Sequence, residues 1–380
     1  MVIQRAYKTE LDPNNKQRTM MGCCCGISRY VYNWGLAEWK QWYEDGKKPS
    51  RFKLCTHFNS IKDDTCPWVR EVPYAVTEAA FRNLGAAFQH FFRRVKNGDK
   101  KVGYPRFKKR GRQNSFQLCN TTVESDCVRL THIGWVRLKE HSYLPATDSG
   151  IKFGTYATVS ERAGRWYISV QVEEEIPDPA NGSTLVVGVD FGLKALAVCS
   201  DGAVYENPHA LREAQRKLGR LQRELSRRTK GGANWRKTKV KIQRQHAKVA
   251  SIRQHVLHNV SHDIVVNKHP AVVAIEDLNV SGMMSNHHLA QAVADVGFYE
   301  LRRQIEYKAK WHGVEVVMVD RWFPSSKACS RCGCVKDDLT LDDRIFKCQD
   351  CGLEIDRDYN AALNLAAIGK AETQPDCLGS

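Results

Sequence analysis

The front of the chain carries apolar residues at helical spacing after an opening strand. Residues 1–10 (MVIQRAYKTE) predict a strand, and a helical run begins at Asn14–Gln17. One face of that run carries the residues Met21, Cys25, Ser28, Tyr32 and Gly35. Further helices are predicted up to about Val95, including Glu78–Phe92, in which apolar residues recur every three or four positions.

The pattern changes to short alternating stretches between about Ser115 and Val172. These stretches are Val128–Leu130, Val136–Leu138, Ala157–Val159 and Trp166–Val170. Short strands separated by turn residues at this spacing predict a small β-barrel or sandwich. The following segment, Glu173–Ser183, is polar and contains proline and glycine, so it predicts a domain boundary.

The back half alternates buried strands with long helices. Two apolar runs, Leu185–Asp190 and Ala271–Glu276, predict buried strands, and a hairpin is predicted across Ala195–Tyr205. Residues 210–262 predict two basic helices separated by Gly231 and Gly232, each with an apolar stripe. The last elements are a helix at 298–312, a strand at 314–319 and a helix at 359–368.

The charge of the chain points to a polyanionic partner. Lys and Arg number 58 against 42 Asp and Glu, which gives a net charge of +16, while the hydrophobic fraction of 42% is ordinary for a folded protein. An anionic membrane is the rival partner, but no apolar run approaches the ~18 residues of a spanning helix. Nucleic acid is therefore the predicted partner, and no membrane partner is expected.

Two basic regions are candidates for nucleic-acid contact. In the first, aromatic residues alternate with cations, which favours a surface that follows a phosphate backbone and stacks bases over a merely solvated loop. Its candidate residues are Lys100, Lys101, Tyr104, Arg106, Phe107, Lys108, Lys109 and Arg110. On the two basic helices acidic residues are sparse, and the candidates are Arg220, Arg227, Lys237 and Lys241.

Four of the 14 cysteines form two pairs at metal-ligand spacing. Cys329 and Cys332 make one pair and Cys348 and Cys351 the other, with 15 residues between the pairs and a glycine after each. Four thiolates in this arrangement predict a closed, structural zinc ribbon. Cys334 is a spare thiol that could replace Cys332. The adjacent cysteines at 23–25 are interpreted as small apolar residues on a helix, and redox dithiols are the alternative for the paired ones.

Three acidic residues stand where a carboxylate is costly without a purpose. Asp190 ends one apolar strand, Glu276 ends another, and Asp358 lies at the start of the final helix. Neighbouring parallel strands and a helix on their sheet would bring the three together. Close carboxylates repel each other unless divalent cations bind. Two ions about 3.5–4 Å apart then suit in-line attack on a phosphodiester.

Other assignments of these acids remain open. A helix N-cap is the structural alternative for Asp358, and Asp356 competes with it as the third carboxylate. Asp277 is a weaker candidate because neighbours on a strand point to opposite faces, so it would face away from Glu276.

The chain resembles a known family at these residues. VGVDFG, VVAIEDLNVSGM, PSSKACSRCG, CQDCG and DRDYNAALNLA resemble, in this order, the signatures of TnpB proteins. These proteins are encoded by bacterial and archaeal insertion sequences and are related to type V CRISPR effector nucleases. RAYKTELDPNNKQ and GYPRFKKRGRQNSF extend the resemblance to nearly the whole chain.

The resemblance implies an α/β multidomain fold. Its nuclease domain is RNase H-like (RuvC-like) with an inserted zinc ribbon, and a wedge-like β-barrel domain contains an inserted helical recognition domain. The expected ranges are 1–10 and 115–180 for the barrel, 11–114 for the helical domain, 181–324 and 353–370 for the nuclease, 325–352 for the ribbon and 371–380 for a tail.

The resemblance also implies an activity. Asp190, Glu276 and Asp358 would bind Mg²⁺ or Mn²⁺, and one protein would bind one guide RNA from the transposon end. The complex would cut double-stranded DNA next to a short adjacent motif, in a prokaryotic cytoplasm and at the nucleoid when on DNA. The alternatives are an RNA-guided repressor that has lost cutting and a transposase that transfers strands.

Overall fold

The chain folds into two compact units. The computed structural model describes residues 1–99, 102–111, 114–147, 150–336, 338–340 and 343–373. The first unit is Met1–Ile176 and the second starts at Pro177. In the described ranges, no helix combines the length and the apolar character that crossing a membrane requires.

The helices of the first unit follow strand β1 (Val2–Asp12). They are α1 (Asn15–Glu44), α2 (Arg51–Thr65), a 3₁₀ turn (Pro67–Glu71) and α3 (Tyr74–Lys96). Helix α1 begins where the sequence predicts, because Asn14 and Gln17 form a reciprocal cap: each side-chain oxygen accepts a hydrogen bond from the other's backbone N–H. All the residues of its predicted inner face are buried.

The remaining strands of the first unit form one antiparallel sheet with β1. They are β2 (Ser115–Leu118), β3 (Thr122–Val123), β4 (Cys127–Leu130), β5 (Gly134–Leu138), β6 (Lys152–Phe153), β7 (Ala157–Arg162) and β8 (Arg165–Glu175). The order is β2-β7-β8-β1-β5-β4-β3, with β6 on β8. The predicted strands are present. Between the described strands, however, no pairing joins the β2 and β3 edges, so the sheet is open and strand pairing does not close the predicted barrel.

The second unit is built on a mixed five-stranded sheet. Its strands are β9 (Val186–Asp190), β10 (Ala195–Cys199), β11 (Val204–Glu206), β12 (Val272–Glu276) and β13 (Glu315–Val319). The order is β11-β10-β9-β12-β13. Strands β9, β12 and β13 are parallel, and β10 runs antiparallel to β9. Parallel strands end at the same edge of a sheet, so the residues after β9, β12 and β13 lie along one edge.

Helices cover both faces of this sheet. The helices are α4 (Ala210–Ser226), α5 (Ala233–His262), α6 (Val280–Ser285), α7 (Ala290–Val296), α8 (Phe298–His312) and α9 (Arg357–Thr373), with a π turn at Asp263–Asn267. Val187 and Val189 share a core with α5 and α8, whereas Val272 and Ala274 share one with α9. Side chains alternate across a strand, so α9 lies on the face opposite to α5 and α8.

Two glycines let α9 approach the sheet closely. A Cβ added at Gly188 would lie 2.0 Å from the carbonyl oxygen of Ala362 and 2.4 Å from the amide nitrogen of Ala366. A Cβ at Gly369 would lie 2.8 Å from the Cβ of Ala274. Because any side chain at Gly188 would collide with helix backbone, this glycine sets the position of α9 on β9.

Candidate active site and cysteine cluster

Asp190 and Glu276 end adjacent parallel strands. Val189 is the register partner of Ile275, so Asp190 and Glu276 are the next residues along β9 and β12. Glu276 is also the register partner of Val319 on β13. Both acids are partly buried. The predicted meeting of these two strand ends is therefore what the fold produces.

The pKa values of both carboxyls are raised. Burial first, and then the neighbouring charges of Asp358 and Glu276, raise the pKa of Asp190 from its ordinary 3.8 to about 7. Burial also raises the pKa of Glu276, with a contribution from Asp277. Full ionisation of the two carboxyls is therefore unfavourable at this edge, and perturbed pKa values of this kind mark a candidate functional site.

Helix α9 brings Asp358 near this edge, and Asp356 has a different role. The Oδ1 of Asp356 accepts hydrogen bonds from the backbone N–H groups of Asp358 and Tyr359, at 2.9 and 3.0 Å. Asp356 is thus the N-cap of α9, the structural alternative raised above for Asp358. Asp358 instead contributes to the charge around Asp190 and is ion-paired with Arg357 at 3.0 Å.

The three carboxylates are spaced more widely than the ligands of a single small ion. Among the described residues, two groups of potential ligands have all their ligand atoms within 4.8 Å of one another. They are the four cysteines of the ribbon and the set Glu124, Asp126 and Cys127; the three carboxylates do not form a third such group. By this geometry the three carboxylates do not form a ready single-ion site.

The carboxylate of Asp277 is paired with two arginines. Its two carboxylate oxygens accept from Arg302, at 2.8 Å, and from Arg321. These hydrogen bonds, Arg321 first, hold the pKa of Asp277 below its ordinary value. An acid that is hydrogen-bonded to two arginines is a poor candidate for a metal ligand, and the strand pattern of the sequence also made Asp277 the weaker candidate.

The two cysteine pairs converge into one cluster. The sulfur atoms of Cys329, Cys332, Cys348 and Cys351 all lie within 4.8 Å of one another. Cys329 and Cys351 are 3.5 Å apart, as are Cys332 and Cys348. The backbone N–H groups of Cys351 and Asp350 lower the pKa of the Cys348 thiol to about 6, whereas the contact with Cys348 raises the pKa of the Cys332 thiol to about 12, so Cys348 is the thiol of this pair that ionises first. Four sulfur donors in this arrangement could hold a structural zinc ion.

Cys334 lies outside this four-sulfur group. Its thiol is directed at the carbonyl of Val335, at 3.9 Å. It packs against the small apolar core of the ribbon, around Phe346. The cluster is complete without it, so the geometry favours Cys332 as the fourth ligand.

Two buried asparagines join the ribbon to α9. The Nδ2 of Asn360 donates to the carbonyl of Ala328 at 2.7 Å, and Asn364 donates to Ser325 and Ala328, both at 2.7 Å. The backbone N–H of Ser330 donates back to Asn360. The sequence reasoning missed this contact. Its signal is visible in NAALN, where two amides four residues apart interrupt an apolar helix.

Some candidates of the first basic region, residues 100–110, make contacts inside the protein and are not free for a partner. Lys100 and Lys101 lie outside the described residues. Tyr104 packs on Phe88 and Phe91 with ring centroids 5.4 and 5.3 Å away. The ammonium of Lys108 lies 4.2 Å from the centroid of the Tyr32 ring, and burial lowers the pKa of this lysine. Four other candidates are exposed: Arg106, Phe107, Lys109 and Arg110.

Helices α4 and α5 pack together as a helical hairpin. Its four candidate residues are all exposed: Arg220, Arg227, Lys237 and Lys241. The apolar stripe of α4 is buried as predicted at Ala214, Leu218 and Leu221. Asp295 anchors the hairpin, because its carboxylate accepts from the N–H of Leu211 at the start of α4 and from Arg253 on α5.

Family models match three parts of the chain. One described as "Probable transposase" matches residues 167–287, and one described as "Cas12f1-like, TNB domain" matches residues 298–365. A third, "Helix-turn-helix domain", matches residues 1–48. In this protein those residues form strand β1 and the single long helix α1, so the observed structure differs from that description.

Relatives match over almost the whole length. The chain is 34% identical over 387 residues to "Putative RNA-guided DNA endonuclease InsQ" of Escherichia coli (strain K12), covering 97% of this chain and 92% of that protein. It is also 34% identical to "Putative RNA-guided DNA endonuclease" of Streptomyces pristinaespiralis, covering 97% and 90%. A more distant relative, "CRISPR-associated endodeoxyribonuclease Cas12f1" of Sulfoacidibacillus thermotolerans, is 25% identical over 219 residues, covering 54% and 51%.

A solved structure shares the fold. It is titled "Structure of the mini-RNA-guided endonuclease CRISPR-Cas_phi3", and the match has a TM-score of 0.56 at 9% identity, covering 97% of this chain and 92% of that one. The full-length sequence matches confirm the family that the motifs indicate. The chain belongs to the TnpB family of insertion-sequence proteins, whose relatives above are named RNA-guided DNA endonucleases.

Proposed function

We propose that this protein is an RNA-guided endonuclease that cuts double-stranded DNA with divalent metal ions held by Asp190, Glu276 and Asp358. One observation carries the proposal: Asp190 and Glu276 end adjacent parallel strands, and α9 adds the charge of Asp358 to the same place. The strand order, with β9 between the antiparallel β10 and the parallel β12, also suits an RNase H-like domain.

The residues present fit Mg²⁺ or Mn²⁺. Carboxylate oxygens are the ligands these ions prefer, and a bound cation would offset the cost of ionising two carboxyls whose pKa values are raised by burial and by neighbouring acids. Bound ions would activate water and stabilise the leaving oxygen of a phosphodiester. Asp190 and Glu276 would hold the ions from the sheet, Asp358 from the helix, and Arg357 would orient the Asp358 carboxylate.

The partners follow from the relatives and from charge. The relatives named RNA-guided endonucleases cover nearly the whole chain, and the exposed cations of the hairpin suit a phosphate backbone. We infer a guide RNA from the transposon end, one protein per RNA, and cutting next to a short adjacent motif. The description "Probable transposase" favours strand transfer as the second candidate.

The proposal is tested with the protein purified together with its own RNA. That RNA is sequenced, and a matching double-stranded DNA is offered with Mg²⁺. Defined breaks with 5′-phosphate ends support the proposal, because a metal-activated water leaves the 3′ oxygen on the other product. Binding without cleavage identifies a repressor, and joined DNA ends identify a transposase.

The raised pKa of Asp190 predicts how pH changes stability without divalent ions. The folded chain keeps this proton up to about pH 7, whereas the unfolded chain releases it near 3.8. The stability due to the protonated form is therefore complete below about pH 4 and is lost as the pH rises through 7. The loss is on the order of 4 kcal/mol. Mg²⁺ should offset part of it, raising Tm by roughly 4–10 °C at pH 8 and much less at pH 5.5.

Asp190→Asn provides the control for this pH prediction. An amide cannot ionise, so the variant should melt higher than the wild type at pH 8 without Mg²⁺ and should gain little from adding it. Thermal unfolding at the two pH values checks both statements. Equal gains from Mg²⁺ at both pH values would contradict the role of Asp190.

We also propose that the four-cysteine cluster holds one structural zinc ion. Cys348→Ser should lower the bound zinc from one equivalent per chain to nearly none, because closed zinc sites depend on all four thiolates. Cys334→Ser is the matched control from the same ribbon and should keep the metal. Elemental analysis of the purified variants measures the difference, and full zinc content in Cys348→Ser would reject the ligand set.

A further inference from the structure

A pocket opens beside the carboxylates at the edge of the second sheet. Its volume is about 260 Å³, and its wall includes Glu276 and Phe191, the residue that follows Asp190. The pocket is smaller than the ~300–1,000 Å³ of sites for drug-sized ligands, so it suits a group the size of one nucleobase. Apart from Glu276, its lining residues have no part in the proposed metal chemistry.

Aromatic rings form the floor and the rim of this pocket. Phe191 and Phe298 lie with ring centroids 6.4 Å apart and are 9% and 2% exposed, so they form a fixed apolar floor. Tyr299 stands at the rim with 70% of its surface exposed. A large ring left in water at the mouth of an apolar pocket is a surface on which a planar ring can stack.

The wall nearest the carboxylates is cationic and polar. Arg302 and Arg321 line the pocket and share the carboxylate of Asp277 between them. Arg321 uses its Nη2 for this contact, so its Nε and Nη1 face no acidic partner among the described residues. Asn279 also lines the pocket and uses its Oδ1 to cap α6, which leaves its amide N–H groups as donors.

We propose that this pocket is a subsite for the unpaired nucleotide adjacent to the scissile phosphate, with its base stacked on Tyr299 and its phosphate near Arg321. The inference rests on the proposed nuclease function and adds to it a binding residue beyond the carboxylates. Stacking tolerates any base, because every base presents a flat face. The subsite therefore positions a strand without reading its sequence, and it requires that the strand be locally single.

Photocross-linking tests the subsite independently of cleavage. The RNA-bound protein is irradiated with single-stranded oligo(dT) in which 5-iodouracil replaces thymine, without added Mg²⁺, and the cross-linked peptides are identified by mass spectrometry. A cross-link to Tyr299 is expected in the wild type, retained at the same position in Tyr299→Phe and lost in Tyr299→Ala. Val204→Ala, an exposed apolar position on β11, is the control and should keep it. Cross-links that map only to other residues would overturn the assignment, because the base would then not lie on Tyr299.

Abasic scanning then asks whether the subsite contributes to the reaction. One nucleotide at a time of the matching DNA is replaced by an abasic one, and single-turnover cleavage is measured. Loss of base stacking should slow the wild type about tenfold at one or two positions next to the cut. Tyr299→Ala should be slowed by a similar factor on intact DNA and be indifferent to the same abasic positions, whereas Tyr299→Phe should behave as the wild type.

Failure of the proposed subsite and failure of the proposed nuclease function would give different results. Normal cleavage with no position-dependent abasic effect would refute the subsite and leave the nuclease intact. A Tyr299 cross-link in a protein that never cleaves would support the subsite and refute the nuclease.

Discussion

Replacing Asp190 with alanine should reduce DNA cleavage about 10³-fold or more while changing nucleic-acid affinity little. The reason is that the side chain belongs to the carboxylate group at the strand ends, whereas the exposed cations of the helical hairpin lie on other elements. Single-turnover cleavage and filter binding of the RNA-bound protein measure the two quantities. Wild-type cleavage by Asp190→Ala would refute the proposed nuclease site, and equal loss of binding would indicate a structural role.

A matched pair of isosteric variants separates the two acids at the start of α9. Asp358→Asn should lose cleavage as Asp190→Ala does, because an amide is a poor ligand for Mg²⁺. Asp356→Asn should cleave nearly normally, because asparagine is as good an N-cap as aspartate and would keep the hydrogen bonds to Asp358 and Tyr359. The reverse result would make Asp356 the third carboxylate.

Gly188→Ala is expected to destabilise the second unit by about 3 kcal/mol or more, at the upper end of overpacking substitutions. The added methyl would lie 2.0 Å from a backbone oxygen of α9, and backbone cannot rotate away as a side chain can. Either the unit unfolds more easily or α9 shifts and takes Asp358 with it. Cleavage should therefore fall even at temperatures where the variant remains folded. Thermal unfolding and single-turnover cleavage check both effects.

Gly219→Ala is the control, and it is expected to change stability in the opposite direction. Gly219 lies within α4, and a Cβ there would meet nothing within 4 Å. Alanine should therefore stabilise the helix by about 0.5–1 kcal/mol. A Gly188→Ala protein with wild-type Tm and cleavage would mean that α9 does not lie on β9 as described.

The helices and strands could be predicted because burying one face of an element places apolar residues at a regular spacing along the sequence. LVVGVD and AVVAIE are continuous apolar runs ended by an acid, and both are central parallel strands. The cysteine spacing and the start of α1 were likewise visible, since a metal site and a helix cap depend on residues close in the chain. The motifs identified the family, and the full-length relatives confirm it.

Contacts between distant segments could not be read in the same way. The engagement of Lys108 with the ring of Tyr32, far away along the chain, leaves no local pattern, and the sequence presents this lysine as one more cation in a basic run. The pairing of Asp277 with Arg321 has the same character. The strand order had the same limit, because alternation predicts strands but does not say which edges pair, and the sequence pattern left a barrel and a sandwich both open.

The direct continuation of strand β15 (Glu354–Asp356) into α9 has a practical consequence for assays. Strand β15 pairs with β14 (Ile345–Lys347) in the ribbon, α9 begins at the next residue, Arg357, and Asn360 ties its first turns to the ribbon. Under the proposed metal assignments, a chelator used to stop the reaction would act at two places at different speeds: rapidly at ions held by the carboxylates, which leave coordination positions for water, and slowly at an ion held by the four thiolates of the ribbon that precedes α9. Returning Mg²⁺ after brief exposure should recover the enzyme, whereas after long exposure recovery would also need zinc.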